Sequence, residues 1–472
     1  MIVNLLQPIL LIQHFHFNKF MLKFLNQIQV MKNTKKIFLS FMRNILLVIG
    51  IPFYLQAEVI IGSLNAESGA GSGIAGIIIE SQRVAVDHIN SDTIGIQGEG
   101  LLKIERADTA CDPISSINTV NIFVNRYNPD IILGPTCSLT TLEIAKNITI
   151  PKNILLISSS ASSPEISSLD DNNLVFRTIA SDTQQAYALA QYLMSRQEKE
   201  VVLLYGNDPY NETLAQIFIQ EYTNAGGTVR VKTQLTEKTV IDWKFINDFV
   251  DSGLVYEQPV LLMFLHGNER TVSLLEQFIG IVEERLKALT KNKIFYHHYG
   301  SDNMLTSNIR NLLYSYSSSG LHKEFTVIAQ AFSQSSSEFQ SYANILLNAG
   351  VDPNSPYAAF SFDTTMLAAL ALQHYSYNSN ESISLADSLF NIANPPGVIV
   401  GPGSWETARS LILRGVDINY NGVMGPMDFD KKGDVARLYS LNQVSDENTW
   451  TTVTLDPFNP AFNFITPQIV ID

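Results

Sequence analysis

From Glu58 onward, short aliphatic and β-branched runs alternate with stretches in which apolar residues recur every three or four positions. Val59–Ile61, Leu101–Ala107, Ile131–Leu133 and Ile154–Ile157 read as strands. Ile74–Asn90, Ile114–Arg126 and Leu139–Asn147 between them read as helices. After a further strand, Val175–Arg177, the rhythm restarts with a helix at Thr183–Arg196. Strands at Val201–Tyr205, Thr228–Lys232, Val260–Phe264 and Ile294–His297 follow, with helices near Tyr210–Asn224, Trp243–Asp251, Arg270–Ala288 and Met304–Tyr314. This β-α order predicts two parallel sheets, each covered on both faces. Val327–Ala331 leads into helices at Phe339–Asn348, Tyr357–Gln373 and Ser384–Ile392. Then come a Gly/Pro-rich loop at Pro395–Ser404, a short helix at Trp405–Arg414, and strands at Val423–Phe429, Leu438–Gln443 and Trp450–Thr454.

The residues before Glu58 follow another logic. Lys32, Lys35, Lys36 and Arg43 precede the apolar run Ile45–Leu55, which ends at Leu55-Gln56-Ala57. A charged start, a short apolar core and a small residue at the end describe a secretory signal peptide, with Met31 as initiator and Glu58 as first mature residue. An uncleaved anchor is the alternative. No Cys follows the run to carry a lipid. The two cysteines, Cys111 and Cys137, suit a disulfide in an exported chain, where it would contribute about 3–3.5 kcal/mol through chain entropy; two buried thiols are the other reading.

Composition narrows the function. A net charge of −14 with no cluster of Lys and Arg disfavours nucleic acid and anionic lipid as partners. G-x-S-x-G, H-E-x-x-H and Walker motifs are absent. Gly71-Ser72-Gly73-Ile74-Ala75-Gly76 has the spacing of a dinucleotide fingerprint. A polar stretch separates it from the preceding strand, however, and Glu105 and Asp108 fall late for the ribose acid, so it reads as a flexible loop over a cleft mouth. No cofactor and no metal is expected. His297 and His298 are adjacent in a strand and point to opposite faces; His266 at another strand end reads as a satisfied polar residue.

Ligands of open α/β sheets bind beyond the carboxyl ends of the strands. Two such ends stand out: Gly134-Pro135-Thr136-Cys137-Ser138, and Ser158-Ser159-Ser160-Ala161-Ser162-Ser163-Pro164. Both offer hydroxyls and backbone N–H groups, and Ser138 stands where a helix begins, a place that favours a carboxylate. A plain N-cap and a plain polar loop are the competing readings. At another strand end, Asp302 and Asn303 follow Gly300-Ser301; the Asp302 carboxylate would hold an ammonium or cap the next helix. Asp208-Pro209 fits an N-cap with Pro at N1.

Four stretches together resemble the type I periplasmic binding fold, in its leucine/isoleucine/valine-binding branch. They are Asp108–Pro113, Gly134–Ser138, Ile157–Glu165 with Phe176-Arg177-Thr178, and Gly422–Asp430 with Gly433-Asp434. The likeness runs from Glu58 to about Asp434. It implies a Cys111–Cys137 disulfide. It implies two Rossmann-like α/β lobes joined by three hinge crossovers: residues 58–178 with 331–418, and 179–330 with 419–456, flanked by an extension at 1–57 and a tail at 457–472. It further implies a set of ligand contacts: Ser138 on a ligand carboxylate, Ser160 through its backbone with Ala161 beside it, Ser162 on carboxylate and ammonium, Asp302 on the ammonium, and Tyr210 closing over the ligand from the second lobe. Gly73 or Ile74 stands where that branch carries an aromatic, and the helix at Arg270–Ala288 is longer than the family's. The head-group site is therefore expected to be kept and the side-chain pocket left unassigned. The expectation is a monomeric, non-enzymatic extracytoplasmic binder of an amino acid, short peptide or amide, delivering it to an ABC permease. A sensor of the same fold and, less favoured, a nucleotide-dependent enzyme are the alternatives.

Overall fold

The computed structural model describes residues 58–69, 71–236, 239–240, 260–265, 269–289, 297–315, 325–331, 333–379, 382–446, 449–455 and 465–471. The signal-peptide reading, the helix expected at 243–251 and His266 lie outside them.

The first sheet holds β1 (Glu58–Asn65), β2 (Leu101–Asp108), β3 (Ile131–Leu133), β4 (Leu155–Ser158) and β5 (Val175–Arg177), all parallel, in the order β2-β1-β3-β4-β5. Side chains alternate between its faces. Ile131, Leu133, Leu155 and Ile157 enter one core, and Ile132 and Leu156 enter the other. The second core is covered by α2 (Pro113–Tyr127) and α3 (Ser138–Ile144). Covering the first are α1 (Ser72–Ile89), α8 (Ser337–Asn348), α9 (Pro356–Tyr377), α10 (Leu385–Ala393) and α11 (Trp405–Ile412). From Ala358 to Gln373, α9 is buried on every side. Its polar groups are satisfied internally: Ser361 donates to the Ile78 carbonyl at 3.0 Å, and Gln373 accepts the Gln97 amide at 2.8 Å.

The second sheet repeats this topology. β6 (Glu200–Gly206), β7 (Thr228–Leu235), β8 (Val260–Phe264), β9 (His298–Gly300) and β10 (Phe325–Gln330) are parallel in the order β7-β6-β8-β9-β10. Helices α4 (Asp182–Ser195) and α5 (Pro209–Asn224) cover one face, α6 (Glu269–Leu289) and α7 (Ser307–Ser315) the other. In both sheets the strand order reverses beside the first strand, which makes two switch points where a crevice opens.

The structure departs from the sequence reading in several places. The second sheet is extended by antiparallel strands β14 (Tyr439–Asp446), β15 (Thr449–Leu455) and β16 (Ile465–Ile471), the last lying where a tail was expected. The strand expected at Val423–Phe429 is instead a small sheet of β11 (Val398–Val400), β12 (Ile418–Gly422) and β13 (Gly425–Pro426), whose first strand lies in the expected loop. Gly422 carries the reason. A Cβ there would meet Asp363 Oδ2 at 2.5 Å, so the chain passes tightly over the buried Asp363 carboxylate, which accepts from the Tyr420 hydroxyl (2.8 Å) and the Val423 amide (3.0 Å). Helix α7 begins three residues after Met304, because Asp302–Met304 forms a 3₁₀ turn. The glycine-rich loop is no flexible lid: α1 begins at Ser72, and Gly71 lies against the Cys111 and Cys137 sulfurs, where a Cβ would stand 2.7 and 3.2 Å away. At Gly76 a Cβ would meet nothing, so this glycine does not serve the close helix–strand packing that the third glycine of a dinucleotide motif provides.

Three crossovers join the sheets, near Thr178–Asp182, Gln330–Ala331 and Val435–Leu438, and they are bonded to one another. Ala180 donates to the Gln330 side chain at 3.0 Å, Gln184 to the Val435 carbonyl at 2.9 Å, and Ala331 to the Leu438 carbonyl at 2.8 Å. Arg437, fully buried, donates to Thr178 O at 2.9 Å and Pro426 O at 2.8 Å. Burial pulls its pKa down to about 10, against the opposing pull of Asp363.

Candidate functional site

The sequence-predicted residues fall into two groups at the carboxyl ends of the two sheets. In the first sheet, β3 is followed directly by Gly134, which has φ +92° and no room for a Cβ beside the Leu64 carbonyl, while its amide donates to Ile157 O at 2.8 Å. This tight exit brings the β3 and β4 loops together. Ser138 is the first residue of α3 and not its cap, which is Cys137. Its hydroxyl accepts the Ser163 amide at 3.1 Å and so ties the loops to each other. Two other hydroxyls are engaged inside the loops: Ser160 donates to Thr136 O at 2.8 Å, and Ser158 donates to Pro135 O at 2.9 Å while accepting the Ala161 amide at 3.0 Å. The Ser162 hydroxyl donates to Asp182, and its carbonyl accepts the Asp182 amide at 2.9 Å. Among the described residues, the Ser162 N–H has no acceptor.

In the second group, the Tyr210 hydroxyl at the start of α5 donates to Asp302 Oδ1 at 2.6 Å, beyond the end of β9. The Asn303 amide donates to the same oxygen at 2.9 Å. Asp302 is thus oriented by its neighbours and does not cap α7. Asp208 caps α5 as expected, accepting the Asn211 amide at 3.1 Å.

The two groups meet at Asp182, the buried first residue of α4. Burial pushes its carboxyl up to about 7; the nearby Asp302 charge adds to the rise, while the Ser162 hydroxyl and Arg177 oppose it. Three tyrosine hydroxyls, the buried Tyr439 and the half-buried Tyr210 and Tyr357, sense the same pair of carboxylates. Tyr210, Tyr357 and Tyr439 all lie well above the ordinary tyrosine range, through burial first and then through the charges of Asp302 and Asp182. Tyr357 stands at the start of α9 on the first sheet's side, and its hydroxyl donates across to Asn303 Oδ1 at 3.1 Å. The arrangement is a cluster of carboxylates and hydroxyls whose charge suits an ammonium, beside loops that offer neutral donors to an anion.

Sequence reasoning missed Asp182, Tyr357 and Tyr439. Asp182 stands one residue before the helix expected from Thr183, and its Ser181-Asp182 pair has the form of a helix start; nothing local marks the two tyrosines. Cys111 and Cys137 form the disulfide, with Cα atoms 5.5 Å apart, joining the end of β2 to the β3 loop. His297 lies at the opposite end of the second sheet, its Nδ1 2.5 Å from Glu198 Oε1, and His298 stacks on Phe325, so the two histidines do diverge. Among the described residues there is no His/Cys/Asp/Glu group placed to hold a metal ion, and no helix long and apolar enough to cross a membrane.

Comparison with known proteins agrees with this architecture. The family model described as receptor family ligand binding region matches residues 80–447. The chemotactic signal transduction system substrate-binding protein BasB of Halobacterium salinarum is 24% identical over 398 residues, covering 82% of this chain and 87% of that one. The leucine-, isoleucine-, valine-, threonine-, and alanine-binding protein of Pseudomonas aeruginosa is 30% identical over 151 residues, 31% of this chain and 39% of its own length. The fold matches the branched-chain amino acid transporter substrate binding protein of Streptococcus pneumoniae in complex with isoleucine (TM-score 0.60, 16% identity, 88% of this chain and all of that one). It also matches an R. palustris solute binding protein in complex with benzoate (TM-score 0.61, 13% identity, 88% and 98%).

Proposed function

Because the chain belongs to the receptor-family ligand-binding region family, we propose that it is a non-enzymatic, extracytoplasmic solute-binding protein that captures an amino acid or closely related zwitterion between its two lobes. One lobe comprises residues 58–178 and 331 to about 436, the other 179–330 and the remainder. Taking the third crossing at Val435–Leu438, and not at the expected 418/419, is supported by Val423, Met427, Phe429 and Val435 in the first sheet's core. The ligand carboxylate docks on the Ser138 hydroxyl and the Ser162 N–H, with Ser160 and Ala161 shaping the loop. The ammonium docks on the cluster of Asp302, Asp182 and the Tyr210 hydroxyl. Contacts from both lobes favour the closed form, which Tyr357 and Asn303 bridge, so binding shifts the population toward it. That closed, monomeric form is what an ABC permease would accept.

The observation that carries this reading is the juxtaposition of the buried Asp182 carboxylate and the half-buried Asp302 carboxylate with a bare Ser162 amide on the adjoining loop. Ligand-dependent melting tests it. L-leucine, L-alanine and L-threonine are compared with benzoate, which lacks the ammonium. A ligand at about 100 times Kd adds roughly 2.7 kcal/mol of stability. An amino-acid shift lost in Asp302→Ala supports the reading; a shift by benzoate alone, or one that survives in Asp302→Ala, removes the ammonium site.

A second reading, that the liganded protein feeds a sensory partner, is favoured by the near full-length likeness to a chemotactic substrate-binding protein. Uptake of labelled amino acid in cells lacking this protein separates the two: unimpaired uptake points to sensing.

A further inference from the structure

We infer that Arg177 and Asp434 are a positioning pair for anion capture: they hold the Ala161 peptide so that the Ser162 N–H faces the cleft. The inference rests on the proposed carboxylate site and goes beyond it to residues that never touch ligand.

Arg177 ends β5 and its side chain is wholly buried. Burying a guanidinium is costly unless its donors are matched, and here they are. Nε donates to Asp434 Oδ1 at 2.6 Å, Nη2 to Ser167 Oγ at 2.7 Å, and Nη1 to Ser163 O at 2.8 Å and Ala161 O at 3.4 Å. Ser167 completes the ring by donating to Asp434 Oδ2 at 2.6 Å. All of these contacts converge on the loop from Ala161 to Ser167.

The geometry of that loop follows. A trans peptide is planar, so its C=O and N–H point in opposite directions. With the Ala161 carbonyl turned to Arg177, the Ser162 N–H must point away from it. Its neighbours are held as well: the Ser162 carbonyl accepts from the Asp182 amide, and the Ser163 N–H donates to Ser138 Oγ. The Ser162 N–H is the group left over, on a residue only 5% exposed. Buried N–H groups without acceptors are rare, and this one is positioned to receive an anion.

Asp434 is fixed in turn. Gly433, at φ +70°, has no room for a side chain beside the Val175 carbonyl, and its own carbonyl accepts the Arg177 amide at 3.0 Å. This turn runs into the Val435–Leu438 crossover, so the loop that holds the anion is anchored where the lobes hinge.

The test measures binding by calorimetry for two matched pairs, L-leucine with L-leucinamide and L-alanine with L-alaninamide. Each pair shares side chain and ammonium and differs in the carboxylate. Arg177→Lys and Asp434→Asn should weaken the carboxylate member about tenfold to a hundredfold, the loss expected when a hydrogen bond to a charged group is misaligned. The amide member should change by less than about threefold, so the ratio within each pair collapses. A pair that served stability alone would lower the melting temperature and leave that ratio as in the wild type, which would overturn the inference. Ser167→Ala keeps both charges and removes one rung; should the charge variants not fold, it must still reduce the ratio, and an unchanged ratio overturns the inference. If no member of either pair binds the wild-type protein, the proposed site itself falls and takes this inference with it.

Discussion

Replacing Asp182 with Asn should flatten the pH dependence of the ligand-free protein's stability. Asp182 is raised from the ordinary carboxylate value of 3.8 to about 7 in the folded chain. Unfolded, it titrates near 4. Between these values the folded state holds a proton that the unfolded state has released, so stability falls as pH rises from about 4 and levels off above about 7. Three units at about 1.36 kcal/mol each set an upper limit of roughly 4 kcal/mol on this loss. The groups facing the carboxyl are Asp302, Tyr210, Tyr357 and Tyr439, with Arg177 and Ser162 opposing the rise. Asparagine keeps the shape and cannot ionise. Urea midpoints of both proteins at about pH 5 and about pH 8 span roughly two of those three units, so the effect is expected to be smaller in the variant by up to about 2.7 kcal/mol. Asp363, raised by burial to about 6, contributes with the same sign in both proteins and cancels in the comparison. Parallel pH profiles for the two proteins would refute the reasoning. An ammonium ligand favours the ionised carboxylate, so wild-type affinity for L-leucine should rise with pH up to about 7, and the variant should lose that slope.

Tyr210→Phe removes the 2.6 Å hydrogen bond to Asp302 and should weaken amino-acid binding about tenfold by calorimetry with the melting temperature of the ligand-free protein little changed. Gly422→Ala forces a methyl group against the Asp363 carboxylate and should destabilise by about 1–3 kcal/mol in chemical denaturation. Replacing Cys111 and Cys137 together by Ser opens a loop closed over 26 residues of sequence separation and should cost about 3.5 kcal/mol, read the same way; a loss below about 1 kcal/mol would mean that the loop is already ordered in the unfolded chain.

The alternation of apolar runs and amphipathic stretches was enough to assign the α/β class and the restart after β5, because strand and helix periods differ and both sheets are buried on two faces. Val175–Arg177 and Val260–Phe264 keep the bounds read from sequence. The likeness to binding proteins singled out Ser138, Ser162, Tyr210 and Asp302, and two of them, Tyr210 and Asp302, touch directly. What the pattern misjudged is informative: the run Val423–Phe429 reads as one strand, yet the chain turns back at Val423-Met424 because it must wrap a buried carboxylate supplied by α9. Only the tertiary structure showed that the Ser158 and Ser160 hydroxyls donate within the loops themselves, leaving the Ser162 backbone amide beside the Ser138 hydroxyl as the donors on offer. Only it brought Asp182, Tyr357 and Tyr439 from three separate elements to the Asp302 carboxylate. Local propensity records which residues suit a helix or a strand; the charge environment of a cleft depends on which distant residues the crossovers bring within a few ångströms, and that is decided by how two separately folded sheets are joined.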